Sequence, residues 1–479
     1  MRDIQNRLFE EIRDRSIFDL SEHYGLEYLA TVFDRNVFPD GEALSNLALF
    51  DEKLPLEFTP SKEILAKLHH CGSPATVAQV GGRYFGFVNG SVVPAGLAAR
   101  LLGDFWDQNT AMQVISPIAA KLECIVEEWL RELFGLPDET VAGFVSGTSM
   151  ATFSGLAAAR YRVLQRKGWD VGEKGLFGAP KVRVVAGTHA HSTVHKAIAL
   201  LGFGRENVEW VESDDQGRIV PEKVPPLDDG TILILQAGNV NSGSFDNFDI
   251  LCDKARAANA WVHIDGAFGL WAGAVEALKH LTRGMEKADS WSVDAHKTLN
   301  TPYDNGIVLC RDREALVSAL HMSGAYIVLG KDRDGMFTTP EMSRRARIVE
   351  LWATLKCLGR RGLGEMVLGM HERAAQFAAE LRARNFEVCN EVCFNQVLVH
   401  YENSDLTREI LRKVQDLRVC WCGSSKWDGR DVIRISVCSW ATTPEDVRLS
   451  VDSFVKAREL ALGEAEDKRT GRTELLSKD

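Results

Sequence analysis

The sequence predicts an α/β protein built on a mostly parallel β-sheet, with a smaller C-terminal α+β domain and an N-terminal arm. Three observations predict it. Runs such as Thr231-Ile232-Leu233-Ile234-Leu235 are almost continuously apolar, as expected for strands covered by helices on both faces. Such runs alternate with helical segments, the pattern of strand–helix–strand crossovers. The 479 residues exceed what one small core needs, so two packed units are expected.

The elements follow in order. Residues 1–80 mix helical stretches with turn signals such as Phe38-Pro39-Asp40-Gly41 and read as a helical arm or cap. From Ile118, residues Leu122, Ile125, Val126, Trp129, Leu130 and Leu133 recur at helical spacing, and Gly135 and Pro137 supply the stop. Strands are then expected at Val182–Val185, Thr231–Leu235, Trp261–Asp265, Ser290–Val293 and Gly306–Leu309. Helices are expected at Ser192–Leu201 and Phe248–Asn259. Together they define a large domain over 81–342. A helical region from Ser343 to Arg384, then strand-like pieces at Val392–His400 and Val432–Val437, define a small domain over 343–462. Residues 463–479 are polar without periodicity and are expected to be disordered.

Composition narrows the function. Apolar residues at 45% and charged residues at 26% are ordinary for a soluble globular chain. A net charge of −11 argues against nucleic acid or an anionic membrane as the main partner. The charged start, Met1 to Arg7, leads into no apolar signal core, and no uncharged run reaches bilayer length. Neither Cys389/Cys393 nor Cys420/Cys422 has paired C-x-x-C spacing, so reduced thiols, no metal and a cytoplasmic location are expected.

Three features fall just past strand ends, where ligands sit in such sheets. The first is Asp294-Ala295-His296-Lys297-Thr298, where partial desolvation favours a nucleophilic lysine amine. The second is Asp265, followed by Gly266-Ala267. A carboxylate there needs a positive partner, and a protonated pyridine nitrogen is one. The third is Val145-Ser146-Gly147-Thr148-Ser149, opening a helix whose free N–H groups and dipole suit a phosphate. Singly each is weak: a surface lysine, a turn aspartate and an ordinary N-cap explain them as well. No G-x-x-x-x-G-K-[ST] or G-x-G-x-x-G occurs, so neither a nucleoside triphosphate nor a dinucleotide is indicated.

With these features the chain resembles the group II pyridoxal-phosphate decarboxylases, the family of aromatic amino-acid, histidine and glutamate decarboxylases. The resemblance spans about Gly81 to Ala457. It is carried by Gly147-Thr148-Ser149, His191-Ser192-Thr193-Val194-His195-Lys196-Ala197, Gly243-Ser244-Phe245-Asp246, His263-Ile264-Asp265-Gly266-Ala267, His296-Lys297, Ser343-Arg344-Arg345 and Arg434-Ile435-Ser436-Val437. It implies the aspartate-aminotransferase type of large domain, pyridoxal 5′-phosphate as cofactor and Lys297 as its Schiff-base lysine. Asp265 would partner the ring nitrogen and His191 would stack on the ring. Thr148 and Ser149 would bind the phosphate with Gly147 and His296 beside them, while Ala267 and Asn239 would contact the cofactor. Catalysis would rest on Lys297, His191 and Asp265, and the substrate would be an amino acid. A homodimer is expected, with the N-terminal arm in the contact.

The chain departs from the family pattern in three places. Asn239 stands where many members have threonine, and Thr298 where tryptophan is frequent. The segment Ile327 to Pro340 lacks the loop tyrosine linked to protonation of the product; Phe337 is its only aromatic residue, and Tyr326 lies just ahead. Relatives with phenylalanine there couple decarboxylation to oxidative deamination, so an aldehyde product stays open beside an amine. An aminotransferase or carbon–sulfur lyase is a more distant reading, and intact Lys297 and Asp265 weigh against a non-catalytic scaffold. Tyr84, Phe85, Phe87 and Trp106 fall in the stretch that lines the family's substrate pocket and lean towards an apolar or aromatic side chain.

Overall fold

The structure, a computed structural model, describes residues 2–321 and 333–476. Seven strands form the large sheet: β1 Val141–Val145, β2 Arg183–Gly187, β3 Val208–Val211, β4 Thr231–Gln236, β5 Trp261–Asp265, β6 Ser290–Asp294 and β7 Gly306–Cys310. Their order is β1-β7-β6-β5-β4-β2-β3. The pairings β2–β3, β2–β4, β4–β5 and β5–β6 are parallel, and only β7, antiparallel to both β6 and β1, runs the other way. In register Gln236 faces Asp265 and Asp265 faces Ser292, so the carboxyl ends of the central strands form one edge. β5, β6 and β7 are buried along their whole length, including the polar His263, Asp265, Ser290, Ser292 and Asp294 of β5 and β6. Trp261, Trp271 and Trp291 are fully buried around this sheet.

The small domain is an antiparallel sheet of β8 Glu387–Val388, β9 Gln396–His400, β10 Gly423–Trp427 and β11 Arg430–Ser436, in the order β10-β11-β9-β8. The helices Ser404–Leu417 and Pro444–Leu476 cover it. The helix Ile348–Ala383 serves both domains. Its first part (Ile348, Leu351, Leu355) packs in the large core and its last part (Ala374, Phe377, Leu381) in the small one. It is broken at Gly359, whose φ of 57° leaves the helical region.

The structure differs from the sequence reading in three places. Residues 463–476, expected to be disordered, continue the helix Pro444–Leu476. Helix-forming Ala, Glu, Lys and Arg extend it from a packed beginning although no apolar face marks them. The segment after Gly81 does not belong wholly to the large domain. Phe85 sits in the small-domain core, its ring edge-on to Phe377 at 4.9 Å, and its amide donates to Trp421 O while its carbonyl accepts from Ser436 N. The strands β1 and β3 were not anticipated. No helix among the described residues is long and apolar enough to cross a membrane.

Candidate active site

The carboxyl edge of the sheet gathers the expected residues from five strand ends. β6 closes with Asp294, and the chain turns at once because Ala295 and His296 both donate their amides to Asn305 O. This turn presents Lys297, whose Nζ lies 3.0 Å from Asp294 Oδ2. Asp294 is buried, which opposes its ionisation. Lys297, His296 and the Thr148 hydroxyl nevertheless hold its carboxyl below the usual range.

Asp265 ends β5 and is 6% exposed. Its carboxylate accepts one hydrogen bond, 3.2 Å from the Ala267 amide. Burial pushes its pKa up to about 6, against the attraction of Lys297. A buried carboxylate with one neutral donor is under-partnered, and a cation placed against it would satisfy it.

His191 follows β2 and caps the helix Ser192–Leu200 with its ring: Nδ1 accepts from the Thr193 amide at 3.3 Å and lies 2.7 Å from Thr193 Oγ1. The helix cap and the cofactor-facing role are therefore compatible, since capping uses Nδ1 and leaves Nε2. Burial, then the nearby charges of Lys297 and Arg434, lowers its pKa to about 4, so the ring is neutral at ordinary pH. His296 uses Nδ1 to accept from the Asn305 amide at 3.0 Å and stacks on Tyr303 with ring centroids 4.2 Å apart. Burial lowers its pKa as well.

The phosphate turn is arranged differently from expectation. The helix Thr148–Arg166 starts after Gly147, and β7 passes so close that a Cβ on Gly306 would lie 2.3 Å from the Gly147 Cα. Thr148 donates its amide to Asp294 Oδ1 at 2.6 Å and its hydroxyl to Oδ2. Both donors are committed, so Thr148 anchors Asp294, and the amide end of the helix at Ser149 remains for an anion. Asn239 also differs: its Oδ1 accepts from the amides of Asn241 and Ser242, which shapes its own loop. Ala267 is tied back to the site through its amide to Asp265 and its carbonyl to Asp294 N.

Two further residues belong here. Arg434 on β11 is largely buried and donates to Val240 O at 3.3 Å; its Nε has no partner among the described residues, and it lies close enough to His191 to affect its charge. Its motif was visible in the sequence, its direction was not. Trp421 stacks on Tyr84 at 5.3 Å and on Phe87 at 5.5 Å. Of the four aromatic residues expected at the pocket, Phe85 is core. Trp106 ends the helix Pro94–Trp106, about 18 Å along its axis from the end that touches the lysine turn. Tyr84 and Phe87 remain. Tyr326 and residues 327–332 lie outside the described residues; Phe337 stacks on His321 at 5.7 Å.

A mostly parallel sheet whose carboxyl edge joins a lysine, an under-partnered buried acid and a neutral imidazole defines the fold and site of a pyridoxal-phosphate enzyme. Residues 46–402 match the pyridoxal-dependent decarboxylase conserved domain, and the chain belongs to that family: it is a pyridoxal-phosphate-dependent amino-acid decarboxylase. Among its relatives, the aromatic-L-amino-acid decarboxylase of Manduca sexta is 25% identical over 465 residues, covering 89% of this chain and 88% of that one. The crystal structure of Oryza sativa TDC with PLP and tryptamine superposes with a TM-score of 0.84 at 22% identity, covering 93% of this chain and 97% of the other. That of Rhodiola rosea 4-hydroxyphenylacetaldehyde synthase gives 0.81 at 21%, covering 94% and 98%. The residues present fit the cofactor, because among the described residues no cation is in hydrogen-bond contact with the buried Asp265 carboxylate, the place a protonated ring nitrogen would take.

Proposed function

We propose that the protein releases CO2 from an L-amino acid, with Lys297 as the lysine that carries the cofactor. The observation that carries this reading is the placement of Lys297, Asp265 and His191 at one sheet edge, each within electrostatic reach of another. Bound pyridoxal phosphate supplies an electron sink for the charge left on Cα when CO2 departs. Asp265 would keep a proton at the ring nitrogen. His191, neutral and fixed by its helix cap, would lie against the ring without adding charge. The first turn of the helix Thr148–Arg166 would take the phosphate. Arg434, paired with no carboxylate among the described residues, offers a cation to an anionic group of the substrate. Tyr84, Phe87 and Trp421 support an aromatic or apolar substrate side chain.

A second reading is favoured by the missing loop tyrosine and by the shared fold of an aldehyde synthase. In it, amino acid, O2 and water give aldehyde, CO2, ammonia and hydrogen peroxide. Assaying purified, cofactor-loaded protein with a panel of amino acids for CO2, amine, ammonia and peroxide separates the two. CO2 with stoichiometric amine supports the first, CO2 with ammonia and peroxide the second. No CO2 from any substrate rejects both.

The active form is proposed to be a homodimer. Phe9, Ile12, Leu101 and Phe105 are more than half exposed on the N-terminal helix and on Pro94–Trp106, an apolar surface suited to association. Sedimentation showing a fully active monomer would contradict it.

A further inference from the structure

Lys297 is delivered by a turn that Thr298 Oγ1 ties to Phe268 O of the large domain at 2.9 Å and that a second buried side chain, Asn300, ties to the small domain. Asn300 is fully buried, and its φ of 56° lies in the left-handed region, which asparagine tolerates better than most residues. Its Nδ2 lies 2.7 Å from Lys297 O, 3.1 Å from Thr298 O and 2.8 Å from Cys438 O. Its Oδ1 accepts from the Trp440 amide at 2.9 Å. Its own amide donates to Lys297 O at 2.9 Å, and its carbonyl accepts from Val93 N at 2.8 Å.

Three chain segments therefore meet on one residue: the lysine turn, residues 438–440 just past β11, and the start of the helix Pro94–Trp106. They are joined to each other as well, since Trp440 Nε1 donates to Val92 O at 2.8 Å. Gly90 passes so near that a Cβ there would lie 2.2 Å from Lys297 O. The lysine carbonyl is thus held by Asn300 and crowded by Gly90, and Asn300 is itself held by the small domain through Cys438 O and Trp440 N.

We infer that Asn300 is a positioning residue that fixes the Lys297 main chain to the small domain, so that the amine keeps its place opposite Asp265 only while the domains are docked. The inference rests on Lys297 being the cofactor lysine, and it goes beyond that reading. It makes the small domain part of the lysine's support. It makes cofactor capture sensitive to a residue that touches neither cofactor nor substrate.

Asn300→Gly keeps the left-handed backbone and removes the side-chain bonds. Asn390→Ala is the matched control: it removes a buried carboxamide that also bridges the domains away from the lysine turn, its Nδ2 donating to Ser242 O of the large domain and to Glu391 O and Gln396 O of the small one, and its Oδ1 accepting from Leu398 N. Both variants are read for thermal midpoint, cofactor dissociation constant and the pH midpoint of the visible absorption of the lysine-bound cofactor. Misplacing the amine should weaken cofactor binding by about tenfold or more and displace the pH midpoint in Asn300→Gly. Asn390→Ala should lower the thermal midpoint comparably and leave the pH midpoint in place. A folded Asn300→Gly with wild-type cofactor affinity and pH midpoint overturns the inference.

Hydrogen exchange on the unmodified chain decides the matter even if Asn300→Gly does not fold. The Val93 and Trp440 amides should slow on cofactor addition in wild type and not in Lys297→Ala, and equal exchange with and without cofactor overturns the inference. Borohydride reduction separates the two levels. A wild type that retains no covalent cofactor overturns the reading of Lys297 together with the inference, whereas covalent retention with unmoved Asn300→Gly readouts overturns the inference alone.

Discussion

Lys297 Nζ and Asp294 Oδ2 form an ion pair at 3.0 Å, and the same carboxylate receives the amide and hydroxyl of Thr148. One buried acid thereby links the lysine turn to the first turn of the helix Thr148–Arg166. Removing it would strand a buried ammonium and two donors. Asp294→Ala should lose about 3–5 kcal/mol of stability, as for other broken buried pairs. Asp294→Asn keeps an acceptor for the Thr148 amide and should lose less. Urea unfolding of the cofactor-free proteins measures both, and equal losses would show that Thr148 gains nothing from the retained oxygen.

Lys297→Ala removes the amine and should abolish turnover. Borohydride treatment followed by intact mass measurement should show the added mass of reduced cofactor on wild type and none on the variant. Retention of that mass on Lys297→Ala would move the attachment to another lysine.

Asp265 makes the cofactor-free chain pH-sensitive in a direction opposite to most carboxylates. Its folded pKa of about 6 lies above the unfolded range, so the folded state binds this proton more tightly than the unfolded chain. The stability it contributes is complete below the unfolded pKa and is lost as pH rises through about 6. The loss amounts to about 3 kcal/mol. Cofactor-free Asp265→Asn should therefore match wild type in urea near the unfolded pKa of about 4 and exceed it at neutral pH. Its activity should nevertheless collapse, because asparagine cannot hold a proton at the ring nitrogen. A variant no more stable than wild type at neutral pH would remove the assigned strain.

Much of this site was legible because chemistry was concentrated at strand ends. Asp265 and Lys297 follow buried runs that only helix-covered strands produce, and β5 and β6 lie where those runs are. β1 was missed because Val145 read as part of the phosphate turn and Gly143 broke the apolar run. Asp294 had no visible partner, since Thr148 lies 146 residues away and no spacing rule connects them. Asn300 carried no signal at all: its partners are main-chain atoms of its own turn and of two distant segments. Trp106 lies at the far end of a helix whose first residues meet the lysine turn, a placement that residue spacing alone does not give. The tail read as disordered since periodicity registers packing and says little about a helix that outruns its partners.

Gly306 tests how closely the sheet and the phosphate turn are joined. β7 is the reversed strand, so its first residue lies at the carboxyl edge, directly against Gly147. A Cβ at Gly306 would fall 2.3 Å from Gly147 Cα and 2.5 Å from its carbonyl carbon. Both neighbours are main chain, so no flexible side chain can yield, and relief requires β7 or the turn to shift. Overpacking of this kind costs about 1–3 kcal/mol, and a shifted turn also misaims the Ser149 end of the helix. Gly306→Ala should therefore bind pyridoxal phosphate about tenfold or more weakly than wild type. Pyridoxal lacking the phosphate should be affected far less, because it does not use that turn. Equilibrium titration with both compounds distinguishes the outcomes: a parallel loss for both would mean general unfolding, and unchanged affinity for both would mean the turn is free to move.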